Sequence, residues 1–157
     1  MKVTVLGAGS WGTTVASLAS GRNDTLLWAR DAAVAETIRS SHENDRYLAG
    51  YPLPEQLDAT DDLERAARHA HVLVVGVPSH AFRPTLEAVR EYLHPWVPIV
   101  SLAKGLEQGT DLRMTEVIRE IIPDHRAGVL TGPNLAKEIM AGYAAAILFT
   151  GQLSAWV

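Results

Sequence analysis

The chain has 157 residues, 47% hydrophobic and 20% charged, which suits one globular domain (1–157) able to bury its own core. Its net charge of −4, with arginines and lysines scattered rather than clustered, gives no reason to expect nucleic acid or an anionic membrane as a partner. The absence of cysteine excludes disulfides and thiolate chemistry and is compatible with a cytoplasmic location, and no stretch approaches the roughly 20 apolar residues that cross a bilayer.

The first element is "KVTVL", short, β-branched and apolar from the second residue on, which predicts a buried strand rather than a signal sequence. The turn "GAGSWG" follows, then "WGTTVASLAS", whose Val15, Ala16, Leu18 and Ala19 recur at helical spacing. "TLLWA" (25–29) predicts a second strand and "DAAVAETIRSS" (31–41) a helix. Residues 42–60 hold two prolines and no clear period, so they predict a long loop. Thr60, followed by Asp61 and Asp62, predicts a capped start for a helix through "LERAARHA". "HVLVVGVP" (71–78) is a third strand, and "SHAFRPTLEAVREYL" is a helix expected to break near Pro84. "PIVSLAKG" (98–105), "AGVLTGPN" (127–134) and "AAAILFT" (144–150) predict three more strands, with helices at "DLRMTEVIREII" (111–122) and "LAKEIMAG" between them.

Six strands alternating with helices predict an α/β fold, a doubly wound, mostly parallel sheet with helices on both faces. The strands are apolar throughout, as burial on both faces requires. In such sheets ligands sit beyond the carboxyl ends of the strands. The polar turns "GAGSWG", "WARD", "VPSH", "SLAKGLE" and "TGPNLAKE" all fall at such ends.

The first of these turns has a physical job. Gly7 allows the tight turn, Gly9 lets the backbone approach a pyrophosphate, and Gly12 lets the helix pack closely on the strand. Unpaired N–H groups of the helix's first turn then face the phosphates. Beyond the second strand, a carboxylate would bind a ribose 2′-hydroxyl, whereas an arginine would pair with a 2′-phosphate. Arg30 stands there, so NADP(H) is favoured and NAD(H) remains open, because Asp31 as the ribose ligand would reverse the preference. Lys104, between a strand and Gly105, is expected to be a functional cation, able there to bind a phosphate or polarise a carbonyl. His80 reads as a cap or loop residue, His69, His71, His94 and His125 as helix-end or loop residues, and Trp28 as core. No histidines stand at metal-ligand spacing, and no metal is expected.

"GAGSWGT", "LLWARD", "VVGVPSHAFR", "SLAKGLE" and "LTGPNLAKEIMAG" stand in the order and approximate spacing of the NAD(P)-dependent glycerol-3-phosphate dehydrogenases, and the chain resembles that family over residues 2 to about 149. The resemblance implies a Rossmann-like cofactor domain in an enzyme that interconverts dihydroxyacetone phosphate and sn-glycerol 3-phosphate and feeds glycerophospholipid synthesis. It further implies that Ser10 and Trp11 contact the pyrophosphate and adjoining ribose, Arg30 the 2′-phosphate, and Ala136 the cofactor. Lys104 would lie near the nicotinamide and the substrate phosphate, with Gly132 and Asn134 helping to hold the triose phosphate. Asn134 departs from the Ser or Thr of many members, although an amide also donates and accepts hydrogen bonds.

Family members continue into a helical domain that supplies the acid/base lysine. This chain, ending "GQLSAWV", has only Lys2, Lys104 and Lys137, so it is expected to be an incomplete cofactor domain, inactive by itself. The resemblance is compatible with a homodimer of the full-length protein. A nucleotide-sensing module without chemistry and a dehydrogenase of another hydroxy acid are the competing readings.

Overall fold

The computed structural model describes residues 1–132, 135–144 and 148–151. Five parallel strands form early: β1 (Lys2–Leu6), β2 (Asp24–Trp28), β3 (Asp58–Thr60), β4 (Val72–Val75) and β5 (Ile99–Ser101). β6 (Ala127–Thr131) extends the parallel sheet, and β7 (Leu148–Gly151) closes it antiparallel. The spatial order is β3-β2-β1-β4-β5-β6-β7, with the chain reversing its direction of travel across the sheet between β1 and β4.

The helices are α1 (Ser10–Ser20), α2 (Ala32–Ser41), α3 (Asp45–Leu48), α4 (Leu63–His69), α5 (Ser79–Val89), α6 (Met114–Ile121) and α7 (Ala136–Met140). Alternate strand residues sort between two apolar layers. Leu6, Leu73 and Val75 face α4, α5 and α6, where Phe82, Leu86, Val117 and Ile118 are buried. Val3, Val5 and Val74 face the other layer with Ala16, Val34, Ile38 and Leu48 of α1, α2 and α3. Period-two alternation with both faces apolar explains why the strands read as continuous hydrophobic runs.

Four expectations are corrected. The sheet has seven strands among the described residues, not six, because Asp58–Thr60 pairs with Leu26–Trp28 inside the stretch predicted as loop. That stretch also contains the single turn α3. Thr60 ends β3, and the cap of α4 is Asp62, whose carboxylate accepts from Arg65 N–H at 3.0 Å. α5 passes through Pro84 without a break. Both Pro84 and His80, whose carbonyl loses its i+4 partner, lie on the exposed side where water can serve that carbonyl. The remaining helices fall within a few residues of expectation. α6 starts at Met114 rather than 111, since Asp111 has a left-handed φ of 57°. The first three residues of the 144–150 strand include 145 and 146, which lie outside the described residues, as does 147.

Candidate functional site

Three loops are stitched edge to edge at the carboxyl end of the sheet. Gly7 N–H donates to the Trp28 carbonyl at 3.0 Å, Gly76 N–H to the Leu6 carbonyl at 2.7 Å, and Leu102 N–H to the Val75 carbonyl at 2.9 Å. These bonds bring the turns after β1, β4 and β5 together at the point where the strand order reverses, the place where α/β sheets hold ligands.

The glycines of the first turn differ in what surrounds them. Gly7 has φ of 112°, a left-handed conformation that disfavours side chains, and a Cβ there would lie 2.9 Å from the Gly76 carbonyl carbon. Gly12 is buried, and a Cβ on it would run into the Gly7 carbonyl oxygen. Gly9 is the opposite case. It sits at the N-cap of α1 with ordinary φ and ψ of −69° and 173°, and a Cβ on it would find nothing within 4 Å. Among the described residues no side chain caps α1, and its first turn holds no acidic residue. An 11-residue helix thus starts without a side-chain cap among the described residues, without an acid in its first turn and with open space at Gly9, an arrangement that fits a pyrophosphate.

Ser10 begins α1 and is exposed. Trp11 is half-buried against the α1–α2 layer, and its Nε1 is buried without a hydrogen-bond partner among the described residues. Arg30 lies just past β2, exposed and without an ion pair to any described residue. Asp31 is engaged twice: Oδ1 accepts from Ala33 N–H at 3.0 Å as the cap of α2, and Oδ2 pairs with Arg46 Nη1 at 2.6 Å. A concavity of about 230 Å³ opens here, lined by Asp31, Thr37, Asn44 and Arg46 among others.

On the other side, Lys104 is exposed after β5, and its Nζ donates to the Gly132 carbonyl at 3.4 Å. This long contact joins two predicted site residues from neighbouring strand ends. Ala136 opens α7 and packs against the layer that holds α1. Asn134 lies outside the described residues. Of the other lysines, Lys2 begins β1 at the opposite end of the sheet, and Lys137 is exposed on α7. Trp28 is buried, its Nε1 donating to the Asp61 carbonyl at 3.0 Å, as a core residue does. His80 is the exposed second residue of α5. His69 closes α4 against Thr4 Oγ1 at 2.9 Å and Asp24 Oδ1 at 3.2 Å, far from the glycine turn. No cluster of three or more metal-ligating side chains occurs among the described residues, and no helix there is long and apolar enough to cross a membrane.

Two features were not singled out from sequence. Asn44, 2% exposed, donates from Nδ2 to the Ala8 carbonyl at 2.9 Å and to Thr13 Oγ1 at 2.8 Å, clamping the glycine turn from the far side. Its only prior signal was its place in the long segment 42–60. Glu107 is buried and receives Arg83 through two bonds, Nε to Oε1 at 2.8 Å and Nη2 to Oε2 at 2.9 Å. The Arg83 guanidinium, followed by the Thr110 hydroxyl, holds the Glu107 carboxyl down at about 2, against an ordinary 4.5. Both residues lie inside quoted motifs, "HAFR" and "KGLE", but no spacing links them.

With this geometry in hand, comparison with known proteins finds a family model described as NAD-dependent glycerol-3-phosphate dehydrogenase N-terminus, matching residues 2–155. A protein of Sphingopyxis alaskensis named glycerol-3-phosphate dehydrogenase [NAD(P)+] 2 is 55% identical over 146 residues, which cover 93% of this chain and 44% of that protein. The solved glycerol-3-phosphate dehydrogenase of Coxiella burnetii superposes with a TM-score of 0.90 at 30% identity, covering 97% of this chain and 47% of that one. The enzyme of the same name from baker's yeast, at 24% identity and a TM-score of 0.89, shares the fold. The chain thus spans somewhat less than half the length of the relatives it matches.

Proposed function

Because the chain belongs to the family of the NAD-dependent glycerol-3-phosphate dehydrogenase N-terminus, we propose that it forms the cofactor-binding part of an enzyme interconverting dihydroxyacetone phosphate and sn-glycerol 3-phosphate, in support of glycerophospholipid synthesis. The observation that carries this reading is the N-terminus of α1, without a side-chain cap among the described residues and with open space at Gly9, together with Lys104 at the same end of the sheet after β5, two strands away. The names of the relatives speak for this enzyme and do not favour the sensing module or another hydroxy-acid dehydrogenase.

When bound, the nicotinamide supplies a hydride to the ketone carbon. The residues of this chain bind and orient. The first N–H groups of α1 hold the pyrophosphate, with Ser10 and Trp11 against it and the adjoining ribose. Lys104 places a positive charge where the substrate phosphate and the developing negative charge on the carbonyl oxygen are stabilised. Gly132 lies on the Lys104 side, Gly132 and Asn134 would help hold the triose phosphate, and Ala136 would touch the cofactor.

NADP(H) is the preferred cofactor in this reading. Both oxygens of Asp31 already have partners, so a ribose hydroxyl would have to displace the cap or Arg46. Arg30 remains exposed and has no ion pair among the described residues, which leaves it available to a 2′-phosphate. A cysteine-free chain also suits an enzyme of the cytoplasm.

The test uses the protein encoded by the complete reading frame. It should oxidise NADPH when dihydroxyacetone phosphate is added. Lys104→Ala should lose that turnover while retaining NADPH affinity. Full turnover in a folded Lys104→Ala protein would remove Lys104 from the site.

A further inference from the structure

Among the described residues, nothing holds the Lys104 side chain firmly. It is exposed, and its one described contact is the 3.4 Å bond to the Gly132 carbonyl. The next residue, Gly105, has φ of 118°, a left-handed conformation that favours glycine, and a Cβ there would meet nothing within 4 Å. From Lys104 to Asp111 every residue is exposed except one. That one is Glu107.

Glu107 is anchored by its carboxylate and by its backbone. Oε2 also accepts from Thr110 Oγ1 at 2.6 Å, Glu107 N–H donates to the Leu112 carbonyl at 2.9 Å, and its carbonyl accepts from Asp111 N–H at 3.0 Å. Arg83, the other end of the anchor, also donates from Nη2 to Glu120 Oε2 on α6 at 2.7 Å. Arg83 lies four residues after Ser79, about 6 Å along α5 from the "VPS" turn that opens it. One guanidinium therefore ties together the loop that carries Lys104, the helix that grows from the β4 turn, and α6.

We propose that Arg83 and Glu107 are a positioning pair for the dehydrogenase reaction: they fix the Lys104 loop against α5 so that the lysine meets the substrate phosphate in one place. The proposal rests on the assignment of Lys104 to the substrate side in the preceding section. The two-pronged geometry matters, because a carboxylate receives Nε and Nη2 of arginine together. Glutamine offers one oxygen and turns an NH₂ toward the guanidinium. Neither residue touches the reacting atoms, and neither exchanges a proton with the substrate.

A purely structural ion pair would show itself as stability alone. Buried ion pairs are often replaceable by apolar residues at little cost in folding. The double variant Arg83→Met with Glu107→Leu therefore keeps a folded protein while removing the directional anchor, and it stands beside Glu107→Gln. Both are made in the protein from the complete reading frame. The measurements are KM for dihydroxyacetone phosphate, kcat, NADPH affinity by fluorescence, and hydrogen exchange of amides 103–112.

The expected result is a KM for the triose phosphate raised tenfold or more in both variants, with NADPH affinity within twofold of wild type and faster exchange across the loop. An unchanged KM in either folded variant overturns the proposal, whatever happens to stability. So does a loss of NADPH affinity as large as the rise in KM, since the pair would then support the whole site indiscriminately. A wild-type protein that oxidises no NADPH with the triose phosphate overturns the dehydrogenase reading itself, and the pair's role with it. A wild-type protein that is active beside variants of normal KM leaves that reading standing and removes the pair alone.

Discussion

Replacing Gly12 and Gly9 separately with alanine should split the two roles that glycine plays in one turn. A methyl on Gly12 would collide with the Gly7 carbonyl oxygen, well inside the 3.0 Å that real Cβ atoms essentially never breach, and would sit 3.2 Å from the Gly7 carbonyl carbon. Both are backbone atoms, held by the bond from Gly7 N–H to the Trp28 carbonyl, so no side chain can rotate away. Relief requires α1 to back off the strand. Overpacking of this kind costs about 3 kcal/mol or more at a rigid site, and the gain in helix propensity from glycine to alanine, about 1 kcal/mol, offsets only part of it. A net loss of about 2 kcal/mol, divided by a urea m-value near 2 kcal/mol/M, lowers the unfolding midpoint by about 1 M. Gly9→Ala meets nothing and adopts an allowed backbone. Its weaker N-capping costs about 0.5–1 kcal/mol, roughly balanced by about 0.4–1 kcal/mol of reduced unfolded-state entropy. Its midpoint should therefore match wild type within about 0.3 M. Urea denaturation followed by circular dichroism measures both. A Gly12→Ala protein as stable as wild type, or a Gly9→Ala protein as damaged as Gly12→Ala, would refute the close-packing argument.

Arg30→Ala should weaken NADPH binding about tenfold or more, the range of one charge-assisted hydrogen bond at about 1.5–3 kcal/mol, while leaving NADH nearly untouched; equal losses for both cofactors in calorimetry would mean that Arg30 does not meet the 2′-phosphate. Glu107 is held at about 2, so its stabilising contribution is complete above about pH 4.5 and is lost as pH falls toward 2. That contribution is at most about 3 kcal/mol. Between pH 6 and 3 the urea midpoint of wild type should fall more steeply than that of Glu107→Gln, and parallel curves would show that the carboxylate is not linked to folding. Asn44→Ala leaves the Ala8 carbonyl and Thr13 hydroxyl without their buried donor and should cost about 1–3 kcal/mol by the same denaturation assay, whereas a cost near zero would show that the clamp is dispensable.

How much of this could be read from the chain depended on whether the signal was local. β1, β2 and β4 announce themselves because burial on both faces makes them continuous apolar runs, and the glycine turn is fixed by what flanks it. β3 escaped because three residues, "DAT", at the sheet edge carry no such run. The direction of β7 escaped because hydrophobicity is blind to whether a neighbour runs parallel or antiparallel. Pro84 read as a helix breaker, since the sequence does not show that His80 and Pro84 would both face solvent. The loops that carry Gly9, Arg30, Lys104 and Gly132 were legible as strand ends, whereas the residues that hold them were not. Asn44 reaches the Ala8 carbonyl across 36 positions, and Arg83 reaches Glu107 across 24. Contacts between distant segments leave no spacing in the chain, and only the fold brings them together.

The central claim is that the glycine turn at the head of α1 holds a nicotinamide dinucleotide, and a fluorescence titration of NADPH into wild type and Gly9→Val tests it most directly. Gly9 has open space before it and an ordinary backbone, so valine there should leave the protein folded. The same side chain would occupy the space in which the backbone approaches the pyrophosphate. Wild type should bind NADPH saturably and one to one, and the folded variant should show no measurable binding. Unchanged NADPH affinity in a folded Gly9→Val protein would contradict the claim.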